Sequence, residues 1–177
     1  MYKVQEINES FLLNESREQA YLLGYITGDG CLHGGNILQI DSSDKQIIEE
    51  FSKRLNAKIY EQPNLKKGSY RIQIHSDIIR QYLSTVGLCE RKSYSGISEI
   101  NVDKEYYADF IRGWVDSDGT IYKSGRKEYP APGVELFISV YGNEVDIASG
   151  MLDYLGLKYS VKDVKNKTFK KIAISRR

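Results

Sequence analysis

Residues 21–30, Tyr21-Leu22-Leu23-Gly24-Tyr25-Ile26-Thr27-Gly28-Asp29-Gly30, return 89 positions later as Phe110-Ile111-Arg112-Gly113-Trp114-Val115-Asp116-Ser117-Asp118-Gly119. Both stretches place an apolar residue, glycine, an aromatic and a β-branched residue in order, then a small residue before Asp-Gly. Gly24 and Gly28 are four apart, as are Gly113 and Ser117, so each pair lies on one face of a helix. A glycine inside a helix costs about 1 kcal/mol relative to alanine, so two at this spacing imply a packing reason. Small residues let two helix backbones approach closely. Packed at these faces, the helices would deliver Asp29 and Asp118 together at their C-terminal ends. Gly30 and Gly119 are expected there as left-handed terminating residues.

The likeness continues beyond the two stretches. Ile47, Phe51, Leu55 and Lys58 answer to Ile147, Met151, Leu155 and Lys158, and Arg71, Ile72 and Ile74 to Lys171, Ile172 and Ile174, now at an offset of 100. About eleven extra residues therefore lie between Gly119 and Val134, read as a lengthened hairpin loop. Each copy has one order: a helix from about Ser16 to Gly28 opened by Ser16 and Gln19, two strands around Gly34-Gly35, and a helix opened by Ser43 and Gln46. That second helix carries the apolar stripe Ile47, Ile48, Phe51 and Leu55. A second hairpin and a third helix over about Asp77–Val86 complete the first copy. The expected fold is α+β, two αββαββ units related by a pseudo-twofold axis with antiparallel sheets, divided as residues 1–98 and 99–177, the second copy ending before its third helix.

Bulk composition sets limits. A chain of 177 residues at 41% hydrophobic can hold one core or two fused halves. No apolar run reaches membrane-spanning length, and the first ten residues lack a signal-peptide core, so an intracellular, unexported protein is expected. Cys31 and Cys89 fit no zinc spacing and read as reduced thiols. Net charge is only +1, but residues 158–177 carry +7, leaving −6 for the rest. Lys165, Lys167 and Lys170 in that stretch are candidates to face phosphates, the bland alternative being a solvated tail.

Two carboxylates at adjoining helix C-termini repel each other and the helix dipoles. Divalent cations relieve this, and hard oxygen donors suit Mg²⁺. On a pseudo-twofold axis, two such acids could serve one phosphate on each strand of a duplex.

At this point the chain resembles the LAGLIDADG homing endonucleases, whose nine-letter motif is filled by residues 22–30 and 111–119. The resemblance implies catalytic acids at Asp29 and Asp118, and a metal set of Asp29, Asp118, Gly28 and Ser117 binding Mg²⁺ or another divalent cation such as Mn²⁺. It also implies sheets forming a saddle on double-stranded DNA. Thr27 at the sixth letter is then structural. Members of the family place a basic residue beyond the second hairpin, which Arg91 and Lys92 match; Lys92 is the candidate charge stabiliser. The second copy has only Arg176 and Arg177 near that place. Strand two ends in Asp41-Ser42 and Tyr141-Gly142, without the Gln and Lys sometimes found there. From strand alternation, Gln39, Arg71, Gln73, His75, Lys171 and Ser175 are the expected base contacts. The function implied is cleavage of both DNA strands by a monomer at a long asymmetric site. The rivals are a non-cleaving maturase or repressor of the same fold and a structural dimerisation module. An intein is disfavoured by the terminal residues.

Overall fold

The computed structural model describes residues 6–62, 68–90, 92–123, 132–139 and 143–175. A short helix α1 (Ser10–Leu13) leads into α2 (Arg17–Asp29), and then come β1 (Gly30–His33), β2 (Ile37–Ser42), α3 (Lys45–Leu55), β3 (Ile59–Gln62), β4 (Ser69–His75) and α4 (Asp77–Val86). A short α5 (Lys92–Ser95) and a 3₁₀ turn join this unit to α6 (Tyr107–Asp118), β5 (Gly119–Lys123), β6 (Pro132–Ser139), α7 (Glu144–Tyr154), β7 (Lys158–Asp163) and β8 (Phe169–Ser175).

Local chemistry explains the boundaries. Ser16 caps α2, its hydroxyl accepting from Gln19 N at 3.1 Å, and Thr27 folds its hydroxyl back onto Leu23 O at 2.8 Å, a structural role inside the helix. The cap of α3 corrects the sequence expectation. Asp44 rather than Ser43 holds that position, its carboxylate accepting from Gln46 N at 2.9 Å, where a charged acceptor also complements the helix dipole.

Each unit contains a four-stranded antiparallel sheet, ordered β1-β2-β4-β3 and β5-β6-β8-β7. Alternation puts Leu38, Ile40, Ile72 and Ile74 on the face that the helices cover, all buried, and Gln39, Asp41, Arg71, Gln73 and His75 on the outward face. In the second sheet Leu136 and Ile172 are likewise fully buried and paired, as Ile40 and Ile72 are in the first.

The register revises the correspondence between copies. Gly30 pairs with Ile40 but Gly119 pairs with Leu136, so the hairpin insertion is seven residues and the other four follow β6. Asp41 therefore corresponds to Phe137, not Tyr141, and Tyr141 and Gly142 lie outside the described residues.

Candidate active site

The two units meet along α2 and α6, and the approach is as close as backbones allow. A Cβ on Gly24 would lie 1.9 Å from Phe110 O, and one on Gly113 would lie 2.0 Å from Tyr21 O. On Gly28 it would lie 2.0 Å from Ser117 Oγ and 2.9 Å from Asp118 Oδ2. The seam is tied across by Tyr21, whose hydroxyl donates to Asp116 Oδ2 at 2.8 Å while Arg112 stacks 4.8 Å over its ring. Gly30 and Gly119 are not left-handed, contrary to expectation: φ is −70° and −103°. They are small because the chain turns into β1 and β5 against its own helix, where a Cβ would come within 2.6 Å of Ile26 O or 2.4 Å of Val115 O.

The seam delivers Asp29 and Asp118 side by side. Burial, and then the charge of Asp29, push the Asp118 carboxyl from its ordinary 3.8 up to about 6, against a smaller opposing pull from Lys92. Asp29 reaches solvent, yet withdrawal of water around it raises its carboxyl too; Lys92 opposes this and Asp41 adds to it. Lys92 completes the cluster, its Nζ donating to Gly28 O at the end of α2. Burial lowers its ammonium pKa, with Asp118 and Asp29 the leading opposing charges.

Nothing in the sequence marked the residues that fasten the segment following Lys92. The segment after α5 is pinned to the second unit: Ile97 N donates to Glu144 Oε1 at 2.9 Å, Asn143 N to Ile97 O at 2.8 Å, and Asn143 Nδ2 to Ser98 O at 3.0 Å. Glu144 is 4% exposed, and its Oε2 has no hydrogen-bond partner among the described residues. A buried carboxylate with an unsatisfied oxygen is costly. Glu144→Gln should therefore hold or raise thermal stability, because it keeps the bond to Ile97 while removing the charge. Glu144→Ala should lower stability by about 1–2 kcal/mol, the loss of a buried hydrogen bond, in chemical denaturation.

Among the described residues no three His, Cys, Asp or Glu side chains converge to hold a metal. The candidate donors at the seam are the carboxylates of Asp29 and Asp118, with Gly28 O near them. This all-oxygen set fits a hard divalent cation, and burial first, with a neighbouring carboxylate second at Asp118, raises both carboxyls despite the charge of Lys92. Gly28 O is already engaged by Lys92, which leaves the two carboxylates as the main donors.

The expected DNA-contacting residues divide. Gln39, Gln73 and His75 lie on the outward face of the first sheet, with Gln39 Nε2 donating to Asp41 at 2.6 Å and Gln73 Nε2 3.2 Å from His75 Nε2. Arg71 is not a free probe: its guanidinium grips Asp41 through Nε at 2.6 Å and Nη2 at 3.1 Å. Lys171 is similarly held by Glu135 at 2.9 Å. Lys170, a phosphate-facing candidate from the basic stretch, shares the parity of Ile172, so it lies on the helix side of the sheet and pairs with Asp163 at 3.6 Å. Lys165 and Lys167 sit in the exposed turn between β7 and β8, where Asn166 is left-handed. The side chain of Ser175 lies outside the described residues, as do Arg91, Arg176 and Arg177.

Residues 16–87 match the family model described as a LAGLIDADG-like domain. An uncharacterised protein of Methanocaldococcus jannaschii is 25% identical over 172 residues, covering 89% of this chain and 62% of that protein, so the chain spans less than two thirds of its relative's length. Among solved structures, the homing endonuclease I-WcaI bound to its DNA recognition sequence superposes with a TM-score of 0.60 at 18% identity, covering 94% of this chain and 80% of that one. A variant of I-DmoI in complex with its target DNA and manganese gives 0.56 at 20% identity, covering 88% and 85%. The full-length DUF199/WhiA protein of Thermotoga maritima gives 0.58 at 16% identity, covering 92% of this chain and 52% of that one. The chain shares the fold of these structures, and its first unit is similar to a LAGLIDADG-like domain.

Proposed function

We propose that this protein is a site-specific endonuclease that cuts both strands of a DNA duplex with a divalent cation, Mg²⁺ or Mn²⁺, at a long asymmetric site. The observation that carries this reading is the meeting of Asp29, Asp118 and Lys92 at the seam between α2 and α6. A module that merely dimerises through small-residue helices has no use for two acids whose ionisation the seam itself opposes. Asp29 and Asp118 hold the metal through their carboxylates, with Gly28 and Ser117 contributing backbone oxygens at the edge of the site. A divalent cation bound there supplies charge neutralisation at the scissile phosphate and lowers the pKa of water. Lys92, anchored on Gly28 O, places an ammonium where negative charge builds on phosphate oxygens. The outward faces of the two sheets form the saddle that holds the duplex, and the division into repeats at residues 98 and 99 belongs to the same reading. Both halves of the seam are on one chain, so the acting species is a monomer.

Incubating the purified chain with a randomised duplex pool and Mg²⁺, then sequencing the cut ends, tests the activity. Enrichment of one asymmetric site, lost on Asp118→Asn, is the expected result. Selective binding without cutting would instead favour a DNA-binding role on the fold that WhiA shares.

The basic stretch makes a separate prediction. Each neutralised phosphate adds about 0.9 to the slope of log K against log salt. Lys165→Gln with Lys167→Gln should flatten that slope by up to about 2, whereas Lys170→Gln, on the opposite face, should leave it unchanged. A salt titration of binding to one duplex reads the difference.

A further inference from the structure

The corrected register aligns outward residues of the two sheets that do not resemble each other. Where the first unit has Gln39, Asp41, Ser69 and Gln73, the second has Glu135, Phe137, Phe169 and Ala173. The pairings Ile40 with Ile72 and Leu136 with Ile172 fix this correspondence. Leu136 and Ile172 are fully buried against the helices, so Phe137 and Ala173, their neighbours in the strands, point away from the core. Phe137 packs edge-on against Phe169 at 5.7 Å, and both remain partly exposed. Glu135 and Lys171 neutralise each other beside them. The outward face of the second sheet is thus apolar at its centre, while the first carries amides and an imidazole.

Charge decides what such a face accepts. Lys162 faces outward opposite Lys171, and Lys165 and Lys167 stand at the hairpin tip beyond it. This rim would repel the same rim of a second copy, and it suits a polyanion. The major groove of a duplex presents both phosphates and, at each thymine, an apolar 5-methyl group that Ala and Phe side chains contact; Gln pairs with adenine N6 and N7.

We infer that the second unit reads thymine 5-methyl groups through Phe137, Phe169 and Ala173, whereas the first reads purine hydrogen-bonding edges through Gln39, Gln73 and His75. The inference rests on the proposed DNA-binding function and narrows its substrate to a site with a thymine-rich arm on one side only.

The test replaces thymine with deoxyuridine, one arm at a time, in the duplex selected from the randomised pool. Removing one buried methyl should weaken binding about fourfold per contacted thymine in one arm and leave the other arm unchanged. In Phe137→Ala that penalty should shrink towards one, which assigns the sensitive arm to the second unit. Equal sensitivity of both arms, or of neither, overturns the inference while leaving site-specific cleavage intact. A chain that selects no duplex at all overturns both.

Discussion

Replacing Asp118 with Asn is expected to abolish cleavage, by on the order of 10³-fold or more, while making the metal-free protein more stable at neutral pH. The two effects have one origin. The folded Asp118 carboxyl titrates at about 6 and its unfolded counterpart near 3.8, so the folded state binds the proton more tightly. Below about pH 4 both states hold it, and Asp and Asn cost the same. Between pH 4 and 6 the unfolded chain releases its proton first, and stability declines; above pH 6 the full penalty is present. After solvent screening of this partly exposed group, the Asn variant should gain about 1–2 kcal/mol at pH 7.5 and nothing at pH 4. Urea melts in chelator at both pH values measure this, and Mg²⁺ should then raise the midpoint of the parent protein but not of the variant. An Asn variant that cuts at the parent rate would remove Asp118 from the chemistry.

The second large effect lies in the seam. Gly24→Ala or Gly113→Ala drives a methyl into a backbone carbonyl 1.9 or 2.0 Å away, and no side-chain rotation relieves a clash with main chain. Overpacking costs about 1–3 kcal/mol and more where the backbone has to shift, so about 3 kcal/mol or above is expected for each. Gly150→Ala is the internal control. It sits inside α7 with nothing within 4 Å of the added methyl, and should stabilise by roughly 1 kcal/mol from helix propensity. Denaturation midpoints of opposite sign for these glycines would locate the strain in the seam; a loss for Gly150→Ala equal to that for Gly24→Ala would refute it.

What the sequence disclosed and what it withheld follow from the range of the forces involved. Gly24 and Gly113 were legible because each faces the partner helix's backbone, Gly28 and Ser117 because only small residues fit opposite each other there, and the buried alternation of Leu38, Ile40, Ile72 and Ile74 because a pleated strand has period two. The cap of α3 was misplaced by one position because Ser43 and Asp44 both accept hydrogen bonds and only backbone dihedrals choose between them. Arg71 looked available until the register put Asp41 directly across from it. Phe137 was hidden by the split insertion, since one offset cannot align both sides of it. Glu144 carries no local signature; its role exists only once Ile97, 47 positions earlier, lies against it.

That last contact has a consequence for the chain's history. Lys92 bonds to Gly28 of the first repeat, but the segment that follows it is held at Ile97 and Ser98 by a carboxylate and an asparagine of the second. A duplicated ancestor could let its two sheets drift apart in composition, because their outward faces answer to different stretches of any ligand. The linker could not drift in the same way. Residues 92–98 must satisfy Gly28 at one end and Glu144 at the other. Recombination that exchanges second halves between such proteins would therefore succeed or fail at the handful of positions around Asn143 and Glu144, far more than at the sheets.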